Sequence, residues 1–352
     1  TSRAGCCSWT SRDVRRRGPA VRAVVAHGPG ALSLESVPDP SPAVDGAIIE
    51  VGGCGICGTD LHLLAGDLGS DRFPLVPGHE PWGRVVEVGR EAAGVRVGDL
   101  VAVDPSLHCG QCGPCRRGHG NMCERWSAIG ANRPGAWADY VAAPAANLHP
   151  LPEGMPTSVA PLVEPVACAV RGLERLAPEA DRPAIVYGAG TMGLVLSLLL
   201  QARGVGPVTI VDPNPARRAA AARITGLPTV DVAEAAELRA PSVVEATGNP
   251  AAFEQALASV DRAGTLLVFG VASPAARATV SPHRLYADEI TIVGSMAILR
   301  SFAPAVDAVA RHADALAPLV TDLVSLEDVS AGLAAVADGS AVKVVVSPGV
   351  RA

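Results

Sequence analysis

The sequence lacks any apolar stretch long enough to cross a membrane. Its longest strongly apolar run, residues 194–200, is much shorter than the roughly 20 residues that a membrane-spanning helix needs. No continuous apolar segment accompanies the arginines near the start of the chain, so we expect no secretory signal. We therefore expect a cytoplasmic protein that makes no contact with the membrane.

The sequence also lacks an excess of positive charge. Its 29 lysine and arginine residues are outnumbered by 35 aspartate and glutamate residues, which gives a net charge of -6. A chain with this balance has no general attraction for nucleic acid or another polyanion. Residues 1–20 are locally rich in arginine. We expect them to form a disordered extension, with a basic interaction arm as the alternative.

The chain is too long to be built around one ordinary core. It has 352 residues, of which 49% are hydrophobic and only 18% are charged. This composition is typical of a globular protein, and the length predicts two domains, each with a substantial apolar interior.

Four of the nine cysteines are spaced as metal ligands. They are Cys109, Cys112, Cys115 and Cys123, with glycine and proline between the first three. This spacing allows four thiolates to close tetrahedrally around one zinc ion, and the turn residues aim the sulfurs inward. Because four cysteine ligands leave no position for a substrate, we predict a structural zinc lobe at about residues 107–125.

A second set of metal ligands lies in residues 53–62 and 77–80. Cys57 and His79 supply one thiolate and one imidazole, as an open zinc site requires. Cys54, three residues before Cys57, is predicted to be a neighbour rather than a ligand. Short apolar runs bounded by glycine, proline and aspartate predict β-strands over residues 20–104, and hence a compact, mostly β domain.

A glycine-rich turn follows a buried-strand pattern at residues 184–187. A helix pattern comes next, and a second strand pattern ends at Asp212. Strand, glycines, helix, strand and terminal acid together form the dinucleotide-binding fingerprint. The residues of the turn that we assign to coenzyme binding are Gly188, Gly190, Thr191, Met192 and Gly193.

The acidic residue after the second strand predicts the choice of coenzyme. Asp212 can accept hydrogen bonds from the adenosine ribose and would repel a 2′-phosphate, so NAD is favoured. Arg217 and Arg218 lie just downstream and leave NADP as the alternative, because a guanidinium group can accommodate that phosphate. Arg217 is therefore included among the coenzyme-binding residues.

The rest of the chain continues the alternation of strands and helices. Strand patterns near residues 242–245, 265–269 and 290–293 predict an open, doubly wound parallel sheet. A helix is expected over 302–316, and a capping-box pattern at 325–328 precedes a helix over 329–336 that stops at Gly339. A final strand over 342–346 could return to the first domain.

Taken together, these motifs resemble the zinc-containing medium-chain alcohol dehydrogenase family. The motifs are those at residues 55–62, 78–80, 109–123 and 188–193, and the resemblance extends from about residue 20 to the end of the chain. It implies an α/β protein in which a GroES-like, mostly β catalytic domain (21–163 and 296–352) is interrupted by a Rossmann domain (164–295). It also implies a homodimer or a homotetramer.

One segment resembles the polyol, or sorbitol, dehydrogenase branch of that family. Residues 162–165 read Leu-Val-Glu-Pro, so Glu164 stands near the point where the ethanol-type members carry a cysteine. The resemblance implies that Cys57, His79 and Glu164 hold a catalytic zinc ion, Glu164 directly or through water. Cys168 is the rival to Glu164, although a free cysteine is commonly a small buried hydrophobe.

The resemblance also implies roles for residues around that ion. Glu80 would enter or leave the coordination shell, and Asp60 would fix the tautomer of a ligand imidazole. Thr59 would pass the hydroxyl proton of the substrate toward His62 and solvent.

The predicted function is a zinc-dependent oxidoreductase with two zinc ions per chain. It transfers hydride between a secondary alcohol of a polyol, sugar or cyclitol, including an aminocyclitol, and NAD. A threonine-type or simple alcohol dehydrogenase is the near alternative. A non-enzymatic zinc-ribbon binding protein is the alternative of another class, and the acidic composition argues against it.

Overall fold

A computed structural model describes residues 20–67 and 72–350 of the chain. The predicted extension therefore lies outside the described residues, except for Ala20, which begins the first strand. The strands are β1 (Ala20–Gly28), β2 (Ala31–Pro38), β3 (Gly46–Gly55), β4 (Glu80–Val88), β5 (Leu100–Val103), β6 (Ser106–Leu107), β7 (Ser127–Ala128), β8 (Tyr140–Pro144), β9 (Leu148–Pro150), β10 (Ala184–Tyr187), β11 (Val208–Val211), β12 (Thr229–Val230), β13 (Ala240–Glu245), β14 (Val260–Val268), β15 (Thr291–Gly294), β16 (Val320–Val324) and β17 (Lys343–Val346).

Helices connect most of the later strands. The α-helices are α1 (Gly58–Ala65), α2 (Gly113–Arg116), α3 (Val163–Leu176), α4 (Thr191–Ala202), α5 (Pro215–Thr225), α6 (Val232–Ala235), α7 (Pro250–Ala258), α8 (Pro282–Ala287), α9 (Phe302–Arg311), α10 (Ala313–Leu316) and α11 (Val329–Asp338). Short 3₁₀ helices occupy Gly120–Met122, Ala145–Asn147, Thr157–Leu162 and Ala317–Leu319. Within the described ranges, none of these helices combines the length and the apolar character needed to cross a membrane.

The first large sheet has seven strands in the order β16-β17-β3-β4-β5-β9, with β8 paired to β3. Most of its pairs are antiparallel, and β16–β17 is parallel. The last strand of the chain lies beside β3, where Val345 faces Gly55 and Val346 faces Cys54. The C-terminal strand therefore does return to the first part of the chain, and it borders the strand that leads to Cys57.

The second large sheet has six parallel strands in the order β12-β11-β10-β13-β14-β15. Its first strand, β10, lies at the centre, and later strands are added on both sides. The strand order therefore reverses at β10, which is where doubly wound sheets open a crevice for a ligand. The predicted α/β fold, with a GroES-like, mostly β domain and a parallel Rossmann sheet, is confirmed.

The apolar interior follows the two sheets, with one exception. Strands β3, β4 and β17 and the buried Trp137 share one core, and β13 and α7 contribute to another. The third core joins α3 and α4 to side chains from Ile298 to Leu319. Residues 298–319 thus pack against helices of the nucleotide-binding part, and the predicted boundary at 295/296 remains a prediction.

Two local predictions near the C-terminus differ from the structure. The helix expected over 302–316 is interrupted at His312, which leaves helical geometry with φ −113° and ψ 26°. Ala313 and Leu316, beyond the break, are still buried. The capping box expected at 325–328 does not form, because Ser325 Oγ donates to Asp328 Oδ2 (2.8 Å) in a turn before α11. The predicted stop at Gly339 is confirmed by its left-handed φ of 77°.

Candidate active site

Cys57 lies at the junction of β3 and α1, at the N-cap of the helix. Its backbone N–H donates a hydrogen bond to Asp60 Oδ2 (2.9 Å). A carboxylate three residues into a helix commonly satisfies the free N–H at the N-cap in this way. The local sequence Cys-Gly-Thr-Asp therefore fixes where the Cys57 thiol stands.

His79 and Glu80 are positioned by glycines that allow close packing. Gly78 has a φ of 96°, and a Cβ atom there would lie 2.5 Å from Trp137 Cδ1. A Cβ atom at Gly55 would lie 1.8 Å from Glu80 Oε2. Both glycines are thus required by close approach, and the second one makes room for the Glu80 carboxylate beside β3.

The structure brings Cys57, His79 and Glu80 together. One ligand atom from each lies within 4.8 Å of the others, and His79 and Glu80 are buried. Glu164 is not in this group. It stands at the start of α3, partly buried, where Cys168 Sγ donates to its Oε1 at 3.5 Å. Burial and the nearby Glu80 charge raise the pKa of Glu164 to about 7.

Asp60 links the two predicted ligands. Its second oxygen, Oδ1, lies 3.3 Å from His79 Nδ1, without the geometry of a hydrogen bond. Both atoms are buried, and neither has a hydrogen-bond partner within residues 20–67 and 72–350. Burial alone lowers the pKa of His79, but Asp60 and Cys57 outweigh it and raise the pKa well above its usual range. A histidine held between a carboxylate and a thiol is the usual environment of a metal ligand.

Lys343 completes the cluster, and the sequence analysis missed it. Its Nζ donates to Glu80 Oε2 (2.6 Å), Glu80 Oε1 (2.9 Å) and the Ile56 carbonyl (3.1 Å). A signal was present in the sequence, since a single lysine stands inside the apolar strand β17 and is the only lysine in the chain. Its partners, however, are 263 and 287 residues away.

The donor set fits a zinc ion. Thiolate, imidazole and carboxylate are the ligand types of catalytic zinc sites, which keep one position for water or substrate. The unpartnered His79 Nδ1 and Asp60 Oδ1 also fit, because an imidazole commonly orients itself by such a carboxylate contact when it binds zinc. Cys57 and His79, with the carboxylate of Glu80, are therefore able to hold the ion.

Thr59 and His62 lie on α1 beside the metal-binding group. The Cys57 thiol lies 3.8 Å from Thr59 Oγ1, and His62 follows one turn later, on the same side of the helix. His62 Nδ1 lies 2.8 Å from Asp67 Oδ2, just beyond the left-handed Gly66 that ends the helix. The His62 side chain is half-exposed and thus leads from the group toward solvent.

The four cysteines of the predicted structural lobe also converge. Their sulfur atoms lie within 4.8 Å of one another, with Cys109–Cys115 at 4.0 Å and Cys112–Cys123 at 3.9 Å. Sulfurs bound tetrahedrally at about 2.3 Å from zinc stand about 3.8 Å apart. Backbone N–H groups of Gln111 and Cys112 lower the pKa of Cys109 to about 5, whereas burial and the neighbouring thiols raise the pKa of Cys115 to about 12. The convergence of the four sulfurs makes the lobe suited to hold one zinc ion.

The glycines at the end of β10 have three distinct environments. Gly188 takes a φ of 111°, which makes the tight turn. A Cβ at Gly190 would meet nothing within 4 Å, and Gly190 is the N-cap of α4, so a diphosphate can approach the helix N-terminus there. A Cβ at Gly193 would lie 1.8 Å from Gly188 O. These are the three uses of glycine in a dinucleotide-binding turn.

The remaining predicted coenzyme residues surround this turn. Asp212 is buried, and its carboxylate accepts from the N–H groups of Ala189 (2.9 Å) and Asn214 (2.8 Å). Thr191 Oγ1 donates to the Val342 carbonyl, and Met192 packs against the core. Arg217 lies against Gly339 at the end of α11. Arg218 donates to the Asp212 carbonyl at 2.7 Å.

Known proteins share this architecture. Residues 44–153 match the alcohol dehydrogenase GroES-like domain, and residues 191–311 match the zinc-binding dehydrogenase domain. D-altritol 5-dehydrogenase from Agrobacterium fabrum is 34% identical over 80% of this chain and 86% of its own length. D-arabinitol dehydrogenase 1 from Uromyces fabae is 35% identical over 86% of this chain and 90% of its own.

A solved structure extends the similarity to three dimensions. A zinc-binding dehydrogenase from Sinorhizobium meliloti 1021, described as bound to NADP, superposes with a TM-score of 0.87 at 27% identity. The match covers 94% of this chain and 99% of that one. Taken with the two family domains and the convergent metal ligands, these likenesses show that the chain belongs to the zinc-dependent medium-chain alcohol dehydrogenase family.

Proposed function

We propose that the protein oxidises a secondary alcohol of a polyol, sugar or cyclitol, including an aminocyclitol, with NAD as the hydride acceptor. The observation that carries this proposal is the group of Cys57, His79 and Glu80, with ligand atoms within 4.8 Å of one another, in a chain of this family. The polyol class is supported by Glu164 and by the two relatives named for sugar alcohols. Family membership excludes the zinc-ribbon binding protein.

In this proposal Cys57 and His79 hold the catalytic zinc, and Glu164 joins them directly or through water. Glu80 remains close enough to enter the shell. The Cys168 thiol lies outside the group of Cys57, His79 and Glu80, and it donates to Glu164 Oε1 at 3.5 Å. Asp60 contacts both Cys57 and His79. It accepts a hydrogen bond from the backbone N–H of Cys57, and its other oxygen lies close to the imidazole of His79.

The bound zinc ion and NAD supply electrophilic polarisation of the hydroxyl oxygen and acceptance of hydride. The chain moves the proton. Thr59 Oγ1 accepts the substrate hydroxyl proton and passes its own to His62, which is oriented by Asp67 at 2.8 Å and releases the proton to solvent. Because the carbon loses hydride and the oxygen loses a proton, the product is a ketone.

NAD is the proposed coenzyme because a carboxylate closes β11. Asp212 stands beside the glycine turn and bonds the Ala189 N–H within it, so its charge would repel a 2′-phosphate. Arg217 would favour NADP only if its guanidinium moved away from Gly339 and bound the 2′-phosphate. A higher kcat/KM with NADP than with NAD would contradict this part of the proposal.

The same proposal includes two zinc ions per chain, one at each cluster, and a homodimer or homotetramer in the cytoplasm. The two ligand groups support the zinc count, since they share no residue. The assembly and the location rest on the resemblance to the family and on the composition of the chain.

The test is a screen for NAD reduction over polyols, cyclitols, aminocyclitols, threonine and simple alcohols, with a matched pair of variants. Glu164→Gln should lower kcat/KM for the best polyol by about 10- to 100-fold, because it removes the proposed carboxylate ligand. Cys168→Ala, one helical turn away, is the control and should change kcat/KM little. Activity should be lost with a chelator and return with zinc.

Two results would overturn the proposal: a preference for threonine or a simple primary alcohol as substrate, or activity that survives complete removal of the catalytic zinc. If Cys168→Ala were the more damaging variant, the dehydrogenase would stand, and Cys168 would replace Glu164 as the ligand.

A further inference from the structure

Glu245 is a buried acid in the parallel sheet, and the proposed chemistry gives it no role. It is the last residue of β13 and is 1% exposed. Its Oε1 accepts hydrogen bonds from the N–H groups of Thr247 (2.6 Å) and Gly248 (2.9 Å) and from the Thr247 hydroxyl. Hydrogen bonds to an ionised carboxylate are stronger than those between neutral groups. The side chain therefore fixes the loop that leaves β13, residues 246–249.

The backbone of the same residue fixes a second loop. The Glu245 carbonyl accepts from the N–H groups of Phe269 and Gly270, both at 2.9 Å, and these residues begin the loop after β14, residues 269–272. The two loops are pressed together, because a Cβ atom at Gly270 would lie 2.1 Å from the backbone nitrogen of Gly248. Glu245 thus holds both loops as one unit.

The first of these loops borders the glycine turn. In the sheet register Glu245 is paired with Tyr187, the residue before Gly188. A Cβ atom at Gly188 would lie 2.9 Å from Thr247 Cγ2, and Thr247 is exposed whereas Glu245 is buried. Because the strand order reverses at β10, the crevice opens between the loops that follow β10 and β13. The loops held by Glu245 therefore line one side of this crevice.

The direction of the coenzyme across the crevice decides which half of it these loops meet. Asp212 ends β11, on one side of β10, and is the proposed partner of the adenosine ribose. The diphosphate is proposed to lie at the glycine turn that follows β10 itself. A dinucleotide that extends across the crevice then has its nicotinamide half on the other side, beside the loops after β13 and β14.

We propose that Glu245 is a positioning residue that holds the loops 246–249 and 269–272 against the nicotinamide half of the coenzyme. This proposal rests on the coenzyme site of the proposed function. Glu245 acts through Thr247 and Gly248, whose donors already occupy its carboxylate oxygen.

The experiment compares NADH with ADP-ribose, which carries the adenosine, the diphosphate and the second ribose but lacks the nicotinamide ring. Isothermal titration calorimetry measures both affinities in the parent and in Glu245→Val, which suits a strand and removes the acceptor. The affinity for NADH should fall by about tenfold or more, while that for ADP-ribose stays within about threefold of the parent. Glu245→Gln retains an acceptor oxygen and should show a smaller loss, again confined to NADH.

A matched control removes a carboxylate that bonds a backbone N–H elsewhere in the same sheet. Glu254, exposed on α7, accepts from the Thr279 N–H at 2.7 Å, and Glu254→Val should leave both affinities unchanged. Equal losses for the two ligands in Glu245→Val would show that Glu245 only supports the fold. An unchanged affinity for NADH would show that the loops keep their place without it. Either result would overturn the proposal.

A second pair of variants keeps the proposal testable if Glu245→Val fails to fold. Thr247→Val, at an exposed position, removes the hydroxyl that donates to Glu245, and a loss confined to NADH is expected. Thr247→Ser keeps this donor and should bind NADH as the parent does. The absence of a difference between these two variants would overturn the proposal. A parent that binds neither NADH nor ADP-ribose would instead overturn the proposed coenzyme.

Discussion

Asp104 is a partly buried carboxyl group that the proposed chemistry does not use. It lies between β5 and β6, and its Oδ1 accepts from the Ser106 N–H at 2.9 Å. Burial raises its pKa to about 6, against the lowering effects of Ser106 and His108. The folded protein therefore binds this proton more tightly than the unfolded chain does. The contribution of this carboxyl group to the free energy of unfolding is therefore fully present below its ordinary pKa of 3.8. It is lost as the pH rises from there through about 6.

This sign gives a prediction for Asp104→Asn, which is neutral at every pH and can still accept from Ser106. Near pH 8 the variant should be more stable than the parent by about 1–3 kcal/mol, and the gain should shrink as the pH falls below about 6 and approach zero only below the ordinary aspartate pKa of 3.8. The measurement is the thermal midpoint at about pH 8 and about pH 5. Asp261→Asn, at an exposed position, is the control and should show no such trend. A gain of equal size at both pH values would contradict the assignment.

At the same scale, the metal-binding group shows how few residues carry several tasks. Asp60 satisfies the N–H of Cys57 with one oxygen and faces His79 with the other. The motif Cys-Gly-Thr-Asp made the first contact predictable, because both residues lie in one helical turn. The second contact was not predictable from spacing, since His79 directly precedes another strand, β4.

At the level of elements, two glycines in the turn between β10 and α4 have different roles, one in coenzyme binding and one in packing. Gly190 has open space at its Cβ position, whereas a Cβ at Gly193 would collide with the Gly188 carbonyl at 1.8 Å. Gly190→Ala should keep the thermal midpoint near that of the parent and weaken NAD binding by about tenfold or more, because the methyl group occupies the path of the diphosphate. Gly193→Ala should weaken NAD binding and also destabilise the fold by about 1–3 kcal/mol.

Calorimetric titration with NAD and thermal unfolding of both variants check this pair. A Gly193→Ala protein as stable as the parent would show that α4 can move away from β10. Unchanged NAD binding by Gly190→Ala would place the diphosphate elsewhere.

Element boundaries were predictable where the signal is local. The strand at Ala184–Tyr187 and the strand at Val208–Val211 match the predicted ranges, because short buried strands end at glycine or acid. The helix expected over 302–316 was broken at His312, since its apolar pattern continues across the break. Periodicity does not reveal a one-residue departure of this kind when both sides pack on the same core.

At the scale of the whole molecule, the cysteine lobe supports a distant segment. Asn121 Nδ2 donates to the Met296 carbonyl at 3.0 Å, and the Arg300 guanidinium lies near Gly118. The lobe therefore fixes residues 296–300, which lead from β15 back toward the catalytic sheet. Loss of the metal from the lobe should weaken the contacts that hold residues 296–300. It should leave the structure of the glycine turn unchanged.

We expect Cys112→Ser to reduce the zinc content by one ion per chain and to lower the thermal midpoint, because a missing thiolate opens the tetrahedral site. NAD binding should remain within about threefold of the parent, since the glycine turn is in the other sheet. Metal analysis, thermal unfolding and calorimetric titration measure these effects. Cys168→Ala, outside both ligand groups, should keep both ions. Full zinc content in Cys112→Ser would contradict the predicted lobe.

The sequence by itself determined the features whose parts are close together along the chain. The cysteine quartet, the glycine turn and the Cys57–Asp60 motif each lie within a few turns of backbone, so spacing alone brings their atoms together. These features were sufficient to predict the family and the α/β fold. They also predicted that the four cysteines lie close together, and that Cys57, His79 and Glu80 do so as well.

Only the tertiary structure decided which distant side chains share a site. The Lys343 ammonium reaches Glu80 across 263 residues, because β17 inserts between β16 and β3. That insertion depends on the order of strands in the sheet, which the pattern of one strand does not encode. The resemblance pointed to both Glu164 and Glu80 as carboxylates near the ion. The fold places Glu80, and not Glu164, in the group with Cys57 and His79 and gives it a buried cation as its partner.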